Sequence, residues 1–271
     1  CACWPVTHEA IRKGPLMSNQ VRYSVDSHIA RLTLARPPLN AFSIEFLDQI
    51  IAALRRAGAD PDVRAVVLAS DIPKMFCAGL DLDIILGSDE ATVRAFLNRL
   101  YIELWDVQAN LGKPSIAALD GAARGGGMTL AISCDMIIAS ETASFGYPEI
   151  NLALPPAIHF AHLHRIIGRY RAFDLLFTAR TFGAQEALSL GLVSRVVSHA
   201  LPEAMEAARV IASKSPSAIA FSRAAFHREA DRTYTDAVAR AVDDFCALAV
   251  SADAQEGLRA FLEKRTPEWG T

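Results

Sequence analysis

Basic residues never gather into a block in this chain. The 27 Lys and Arg are scattered among 30 Asp and Glu, the net charge is -3 and the isoelectric point is about 6.2. That removes the electrostatic case for nucleic acid or an anionic membrane as a partner. No apolar run reaches the ~18 residues that a membrane-crossing helix needs, and residues 1–16 lack the long apolar stretch of a secretory signal. Cysteine is sparse. Cys1, Cys3, Cys77, Cys134 and Cys246 include no C-x-x-C pair, and Cys1-x-Cys3 is too close a spacing. Cys134 and Cys246 lie in apolar helical context and read as inert core residues, the usage of a reducing compartment, so a cytoplasmic location is expected. No Ser/Gly linker divides the chain, and no fixed period marks a solenoid.

What is present is core-forming sequence. Of 271 residues, 52% are hydrophobic and 21% charged, enough for one large domain with an appendage. Residues 1–16 are expected to be a leader or added extension outside the fold, with Met17 as a natural start. Val21 to Asp26 and His28 to Leu34 alternate polar and apolar around Ser27 and read as a strand pair. Ser43 can cap a helix through Arg56. Arg64 to Ser70 is a continuous apolar strand suited to a sheet covered on both faces. Residues 90–112 read as one long helix, whose stripe includes Val93, Phe96, Leu100, Ile102, Leu104 and Val107 and which Lys113-Pro114 stops. Ile116 to Leu119 and Met136 to Ala139 are buried strands. Helices follow at Ala157–Ile167, Arg169–Ala179, Gln185–Leu190 and Leu201–Ser213, with a small strand at Val193–Val197. From Ser215 to Arg265 the pattern is almost wholly helical. The order defines an α/β class, divided into a core, 17–200, and a C-terminal helical region, 201–271.

The chain is organised around residues 115–151. A strand runs into Asp120-Gly121, then into Gly125-Gly126-Gly127, then into the apolar segment Met128–Cys134. Three consecutive glycines cost backbone entropy, and suit a tight turn or a close approach to the backbone. At a helix start they leave N–H groups free for an anion. Leu130 stands where a G-x-G-x-x-G fingerprint needs its third glycine, and no Gly-Lys-Ser/Thr ending follows, so neither a dinucleotide site nor a P-loop fits. An oxyanion hole remains; the alternative is a glycine turn used only for packing. A second glycine turn, Lys74 to Leu82, also follows a strand end.

Several segments in this order resemble the crotonase superfamily, the enoyl-CoA hydratase/isomerase family. They are Arg36-Pro37-Pro38-Leu39-Asn40-Ala41; Phe76-Cys77-Ala78-Gly79-Leu80-Asp81-Leu82; Asp120-Gly121 through Gly127; Ser133-Cys134-Asp135; Phe145-Gly146-Tyr147-Pro148-Glu149-Ile150; and Ala260-Phe261 through Arg265. The resemblance spans about Val21 to Trp269. It implies a spiral of ββα units, a C-terminal helical trimerisation region, a homotrimer or hexamer, and an acyl-CoA thioester substrate. Coenzyme A is then part of the substrate, and no separate cofactor is implied. By motif position the two oxyanion N–H groups fall on Leu80 and Gly126. CoA contacts fall on Pro38, Leu39, Ala78, Asp81 and Leu82, and on Phe261 and Lys264, which family members often supply from a neighbouring subunit. Asp83 stands where a lysine is frequent, which weakens phosphate binding there.

Hydratases of that family use two glutamates, one two residues after the glycine triplet and one after the proline of Phe-Gly-x-Pro-Glu. Here the positions hold Thr129 and Glu149. A threonine can hold a water but cannot act as a base near neutral pH; it can also simply bond a helix carbonyl. One carboxylate still suffices to move a proton from C2 to C4 of a 3-enoyl-CoA, so isomerisation is favoured. Hydration with a water held by Thr129 and Glu149, thioester hydrolysis and decarboxylation are alternatives. A catalytically weak CoA- or RNA-binding homologue is an alternative of another class. An apolar pocket would raise the Glu149 pKa. His159, His162 and His164 read as ordinary helix histidines, His159 being the one able to reach substrate; the last two fall on different helix faces, so no metal site is expected. Asp135 is expected to tie down backbone N–H groups, and Tyr147 to line the pocket.

Overall fold

The computed structural model describes residues 19–230 and 232–270; the expected leader, 1–16, lies outside them. Ser27 and His28 take positive φ (51° and 64°) and fold Val21–Asp26 (β1) back on Ile29–Leu34 (β2) as an antiparallel hairpin. Ile44–Ala59 (α1) starts at Ser43, whose hydroxyl accepts from Phe46 N–H at 3.1 Å. From there the chain repeats one unit. A strand joins a large sheet, a three-residue strand joins a small one, and a helix returns across the core. The units are Ala65–Ser70 (β3), Met75–Cys77 (β4), Glu90–Leu97 (α2) and Leu104–Ala109 (α3); then Ser115–Leu119 (β5), Ala122–Arg124 (β6) and Gly126–Ile132 (α4); then Met136–Ser140 (β7), Ser144–Gly146 (β8), Ala157–Ile167 (α5) and Arg169–Thr178 (α6). Phe182–Gly183 (β9), Ala184–Ser189 (α7), Arg195–Val197 (β10) and Ala200–Ala212 (α8) complete the core. Pro216–Glu229 (α9), Tyr234–Ala249 (α10) and Ala252–Glu263 (α11) follow it. The large sheet runs β1-β2-β3-β5-β7-β10 and the small one β4-β6-β8-β9. This is the expected spiral of ββα units.

The apolar runs of the central strands have a direct cause. Val66, Leu68, Ala117 and Leu119 face the main core with Phe46, Leu54 and Phe96. The alternate residues Ala65, Val67, Ile116 and Ala118 face a second cluster built from Ala200, Ala204, Ala207, Ala208 and Ala212 of α8. Both faces of the sheet are buried, so alternation disappears. His199 supplies no side-chain cap to α8. Asp120, 80 residues earlier, accepts from Ala200 N–H at 2.7 Å and Leu201 N–H at 3.3 Å instead. Asp120→Ala is expected to lower the unfolding free energy by about 1–2 kcal/mol, as loss of a helix cap does, read from a denaturant midpoint at unchanged m-value.

Two expectations need correction, and one sheet escaped the sequence pattern. Residues 90–112 are not one regular helix: Asn98–Glu103 between α2 and α3 is π-helical. The wider turn moves the stripe by one residue, so Phe96, Leu100, Leu104 and Val107 are buried while Ile102 faces solvent. The small sheet is missing from the sequence pattern, because strands of two or three residues carry no readable period. Cys246 is exposed on α10 rather than in a core, whereas Cys77 and Cys134 are buried.

Candidate active site

The turn at Arg36–Phe42 is welded to the turn at Cys77–Asp81. Asn40 has φ 51° and is fully buried. Its side chain accepts from Arg36 N–H at 2.8 Å and donates to Ser70 Oγ at 2.8 Å and Phe76 O at 2.9 Å. Ala78 N–H donates to Leu39 O at 3.1 Å, Phe42 N–H to Gly79 O at 2.7 Å and Asp81 N–H to Phe42 O at 3.0 Å. Gly79 follows at φ +93°, and a Cβ there would lie 2.8 Å from Arg124 O and 3.0 Å from Gly126 N. The two glycine turns, 47 residues apart in sequence, are therefore in contact.

Each glycine of the triplet has its own reason. Gly125 has φ 47° and ψ -115°, outside the regions open to other residues; a Cβ there would meet Glu149 Oε1 at 2.9 Å. Gly126 lies under Leu80, Leu100 and Phe42, and Gly127 passes so close to Cys77 that a Cβ would lie 2.2 Å from its carbonyl oxygen. Helix α4 is seven residues long, too short to add much dipole, so the individual N–H groups matter. Among the described residues, neither Leu80 N–H nor Gly126 N–H donates to a protein acceptor. Two such donors on adjoining turns can stabilise one developing oxyanion.

Glu149 opens a 3-10 turn, Glu149–Leu152, after Pro148. Its side chain is 21% exposed, and Oε2 is buried without a hydrogen-bond partner. Burial pushes its pKa up, and no other carboxylate contributes to the rise. The Tyr101 hydroxyl is pushed up to about 12 by burial and then by the Glu149 charge. The Tyr147 hydroxyl is raised for the same two reasons in the same order, and is buried without a partner. Thr129 Oγ1 is also buried and unpartnered; it makes no bond to a helix carbonyl. His159 is 1% exposed, with Nε2 at 3.9 Å from Glu149 Oε1. Burial, then His162, push its pKa down to about 3, so this contact joins a carboxylate to a neutral ring and is no ion pair.

Pro38, Leu39, Ala78, Asp81 and Leu82 form one strip beside the first turn, with Pro38, Leu39 and Leu82 exposed. The Asp81 carboxylate is occupied by Arg36 at 2.9 Å. Phe261 and Lys264 are not brought to this strip within one chain. They lie on and just after α11, which packs on α9 and α10, and Phe261 is 81% exposed. Sequence reasoning missed Tyr101, because a π-helical turn carries it towards Glu149. It grouped His159 with ordinary helix histidines while marking it as the one able to reach substrate, and the ring is buried at the site. The spacing of three between His159 and His162, one helical turn, was the available signal.

A half-buried carboxylate beside Gly125, where two glycine turns of a ββα spiral meet, defines an α/β enzyme architecture built around strand ends. A family model described as enoyl-CoA hydratase/isomerase matches residues 24–271, and the chain belongs to that family, within the crotonase superfamily. It is 40% identical over 247 residues to a probable enoyl-CoA hydratase of Rhizobium meliloti (strain 1021), covering 89% of this chain and 94% of that one. It is 37% identical over 242 residues to a probable enoyl-CoA hydratase of Mycobacterium leprae (strain TN), covering 88% and 93%. Among solved structures it resembles the enoyl-CoA hydratase of Bacillus anthracis, with TM-score 0.86 and 32% identity over 92% of this chain and 98% of that one. The enoyl-CoA hydratase of Mycobacterium smegmatis gives 0.87 and 33% over 93% and 99%. The protein is an acyl-CoA enzyme of this family. No described helix is long and apolar enough to cross a membrane.

Proposed function

We propose that the protein converts a 3-enoyl-CoA to the 2-enoyl-CoA with Glu149 as the one acid–base group. The thioester oxygen accepts hydrogen bonds from Leu80 N–H and Gly126 N–H. Glu149 removes a proton from C2; the electron pair delocalises into a dienolate held by those two donors. The same carboxyl returns the proton to C4, and the double bond ends between C2 and C3. No atom is gained or lost. The observation that carries this reading is that, among the described residues, Glu149 stands without a second carboxylate: the position that would supply one is Thr129, and nothing acidic adds to the Glu149 shift. A raised carboxyl pKa suits a group that must both take and give a proton. Backbone around Pro38, Leu39, Ala78, Asp81 and Leu82 holds the CoA portion.

Hydration of a 2-enoyl-CoA is the second reading. The names of the relatives favour it, and the unpartnered Thr129 hydroxyl could hold the water beside Glu149. A paired assay separates them, with a 3-enoyl-CoA to detect conjugation and a 2-enoyl-CoA to detect loss of it. Conjugation without hydration is the expected result. Hydration at a comparable rate would replace the isomerase reading, and silence in both, with CoA still bound, would leave a binding homologue. Phe261 and Lys264 would reach CoA from a neighbouring copy in a trimer or hexamer, which the exposed Phe226, Phe245, Phe261 and Leu262 on α9 to α11 support. A single-chain mass in sedimentation equilibrium would remove that part.

A further inference from the structure

We infer that His159 is a positioning residue for the oxyanion donor: it hydrogen-bonds the carbonyl end of the peptide group whose other end is Gly126 N–H. This rests on the reading that Gly126 N–H meets the thioester oxygen. His159 Nε2 lies 3.3 Å from Gly125 O in a buried setting. A carbonyl oxygen only accepts, so Nε2 carries the hydrogen and Nδ1 carries the lone pair. His162, one turn further along α5, has Nε2 at 3.0 Å from His159 Nδ1 and donates to it. Tyr147 packs against the same ring, with centroids 4.5 Å apart at 62°. The imidazole is thus held in one tautomer and one orientation by groups from two elements.

Gly125 O is a crowded acceptor. Met128 N–H donates to it at 2.9 Å and Thr129 N–H at 3.2 Å, in addition to His159. Among the described residues, His159 is its one side-chain donor. Electron density drawn to the oxygen of a peptide is withdrawn from its nitrogen, because the C–N bond is partly double. A donor at the carbonyl end therefore strengthens the N–H at the other end, the cooperative effect of chained hydrogen bonds. The same bond pins the plane of a peptide that follows a residue with φ 47°, a conformation that persists only where its surroundings hold it. The titratable groups facing His159 are Glu149 and Tyr147 on the pocket side and His162 behind it, with His164 acting on His162. Burial, then the neighbouring His164, push the His162 pKa down to about 4, so both rings stay neutral donors in the working pH range.

The first measurement needs no variant. The 15N spectrum of the wild-type imidazoles is expected to show His159 protonated on Nε2; protonation on Nδ1 overturns the inference. His159→Phe keeps an aromatic ring beside Tyr147 and removes the donor, while His159→Gln keeps an N–H able to reach a carbonyl. In the free 15N-labelled protein, the Gly126 amide is expected to move upfield in His159→Phe and to stay near its wild-type position in His159→Gln. With the thioester that the wild type turns over, kcat is expected to fall about 3- to 10-fold in His159→Phe. KM should stay within about two-fold, the carbonyl stretch of a bound enoyl thioester should move back towards its solution value, and His159→Gln should recover most of the loss. An unchanged Gly126 amide and kcat in a folded His159→Phe would sink the inference, as would a His159→Gln variant as impaired as His159→Phe. If the wild type turns over no enoyl thioester, the proposed function falls, and the imidazole and Gly126 spectra still decide the role of His159.

Discussion

Glu149→Gln is expected to lower kcat for the thioester reaction by about 10³-fold, within the 10²–10⁴ range that general acid–base groups supply, while binding of the CoA thioester stays close to wild type. Gln keeps the shape beside Gly125 and loses the base. The pH dependence has a definite sign. Burial holds the Glu149 pKa above the ordinary carboxylate value, and the carboxylate is the working form. The rate of the wild type should therefore rise with pH through that elevated pKa, and Glu149→Gln should remove the inflection.

The same burial has a stability consequence of opposite direction. A carboxyl whose folded pKa is raised binds its proton more tightly in the folded chain than in the unfolded one, so stability falls as pH rises from the ordinary carboxylate value through the raised one. An uncharged Gln escapes that loss. Glu149→Gln should be more stable than wild type at neutral pH, and the difference should close as pH falls below the ordinary value. A variant equally stable at both pH values would show that the carboxylate is solvated and would undercut its assignment as a buried base. Stability surrendered at a working site in this way is a common trade.

The second large effect is expected at Asp135. Its Oδ2 accepts from Ser115 N–H at 2.7 Å and from Arg223 Nε at 2.9 Å, and its Oδ1 meets His227 Nε2 at 2.9 Å. The side chain of Arg223 is 6% exposed, and its guanidinium also donates to Ala109 O at 2.9 Å and Gln108 O at 2.6 Å. The Asp135–Arg223 pair thus joins strand β5 and the π-broken helix to α9, the first of the C-terminal helices. Asp135→Asn leaves the guanidinium buried without a counter-charge, and a loss of about 3–5 kcal/mol is expected. Adding Arg223→Met should recover part of it, because the stranded charge is then gone. Denaturant midpoints of the three variants measure the coupling. Additive losses would mean that the two side chains act independently.

The strands and helices of this protein were legible wherever a period or a punctuation residue ran long enough. Ser43 marked the start of α1, and the continuous apolar strands marked the two-faced sheet. Asp135 was legible as a structural acid, although its partners Arg223 and His227 were not. The glycine triplet pointed to a backbone approach site before any geometry was known, because nothing but close contact or an unusual φ repays its entropy cost. The family followed from several short motifs in a fixed order, and the resemblance marked Leu80, Gly126, Thr129 and Glu149 as candidate positions.

Other features depend on contacts between residues far apart, which no local pattern encodes. The meeting of Gly79 with Gly126, of Glu149 with Gly125, and of His159 with the Gly125 carbonyl spans 47, 24 and 34 residues, and follows from closing the spiral. The π-helical turn that carries Leu100 against Gly126 shifts the apolar stripe by a single residue, less than a helical period can resolve. Asp120 caps a helix 80 residues away. The separation of Phe261 and Lys264 from the Pro38–Leu82 strip is likewise a matter of where α11 is held. Local residue type determined which backbone shapes were affordable; packing of the ββα turns on one another decided which of those residues meet.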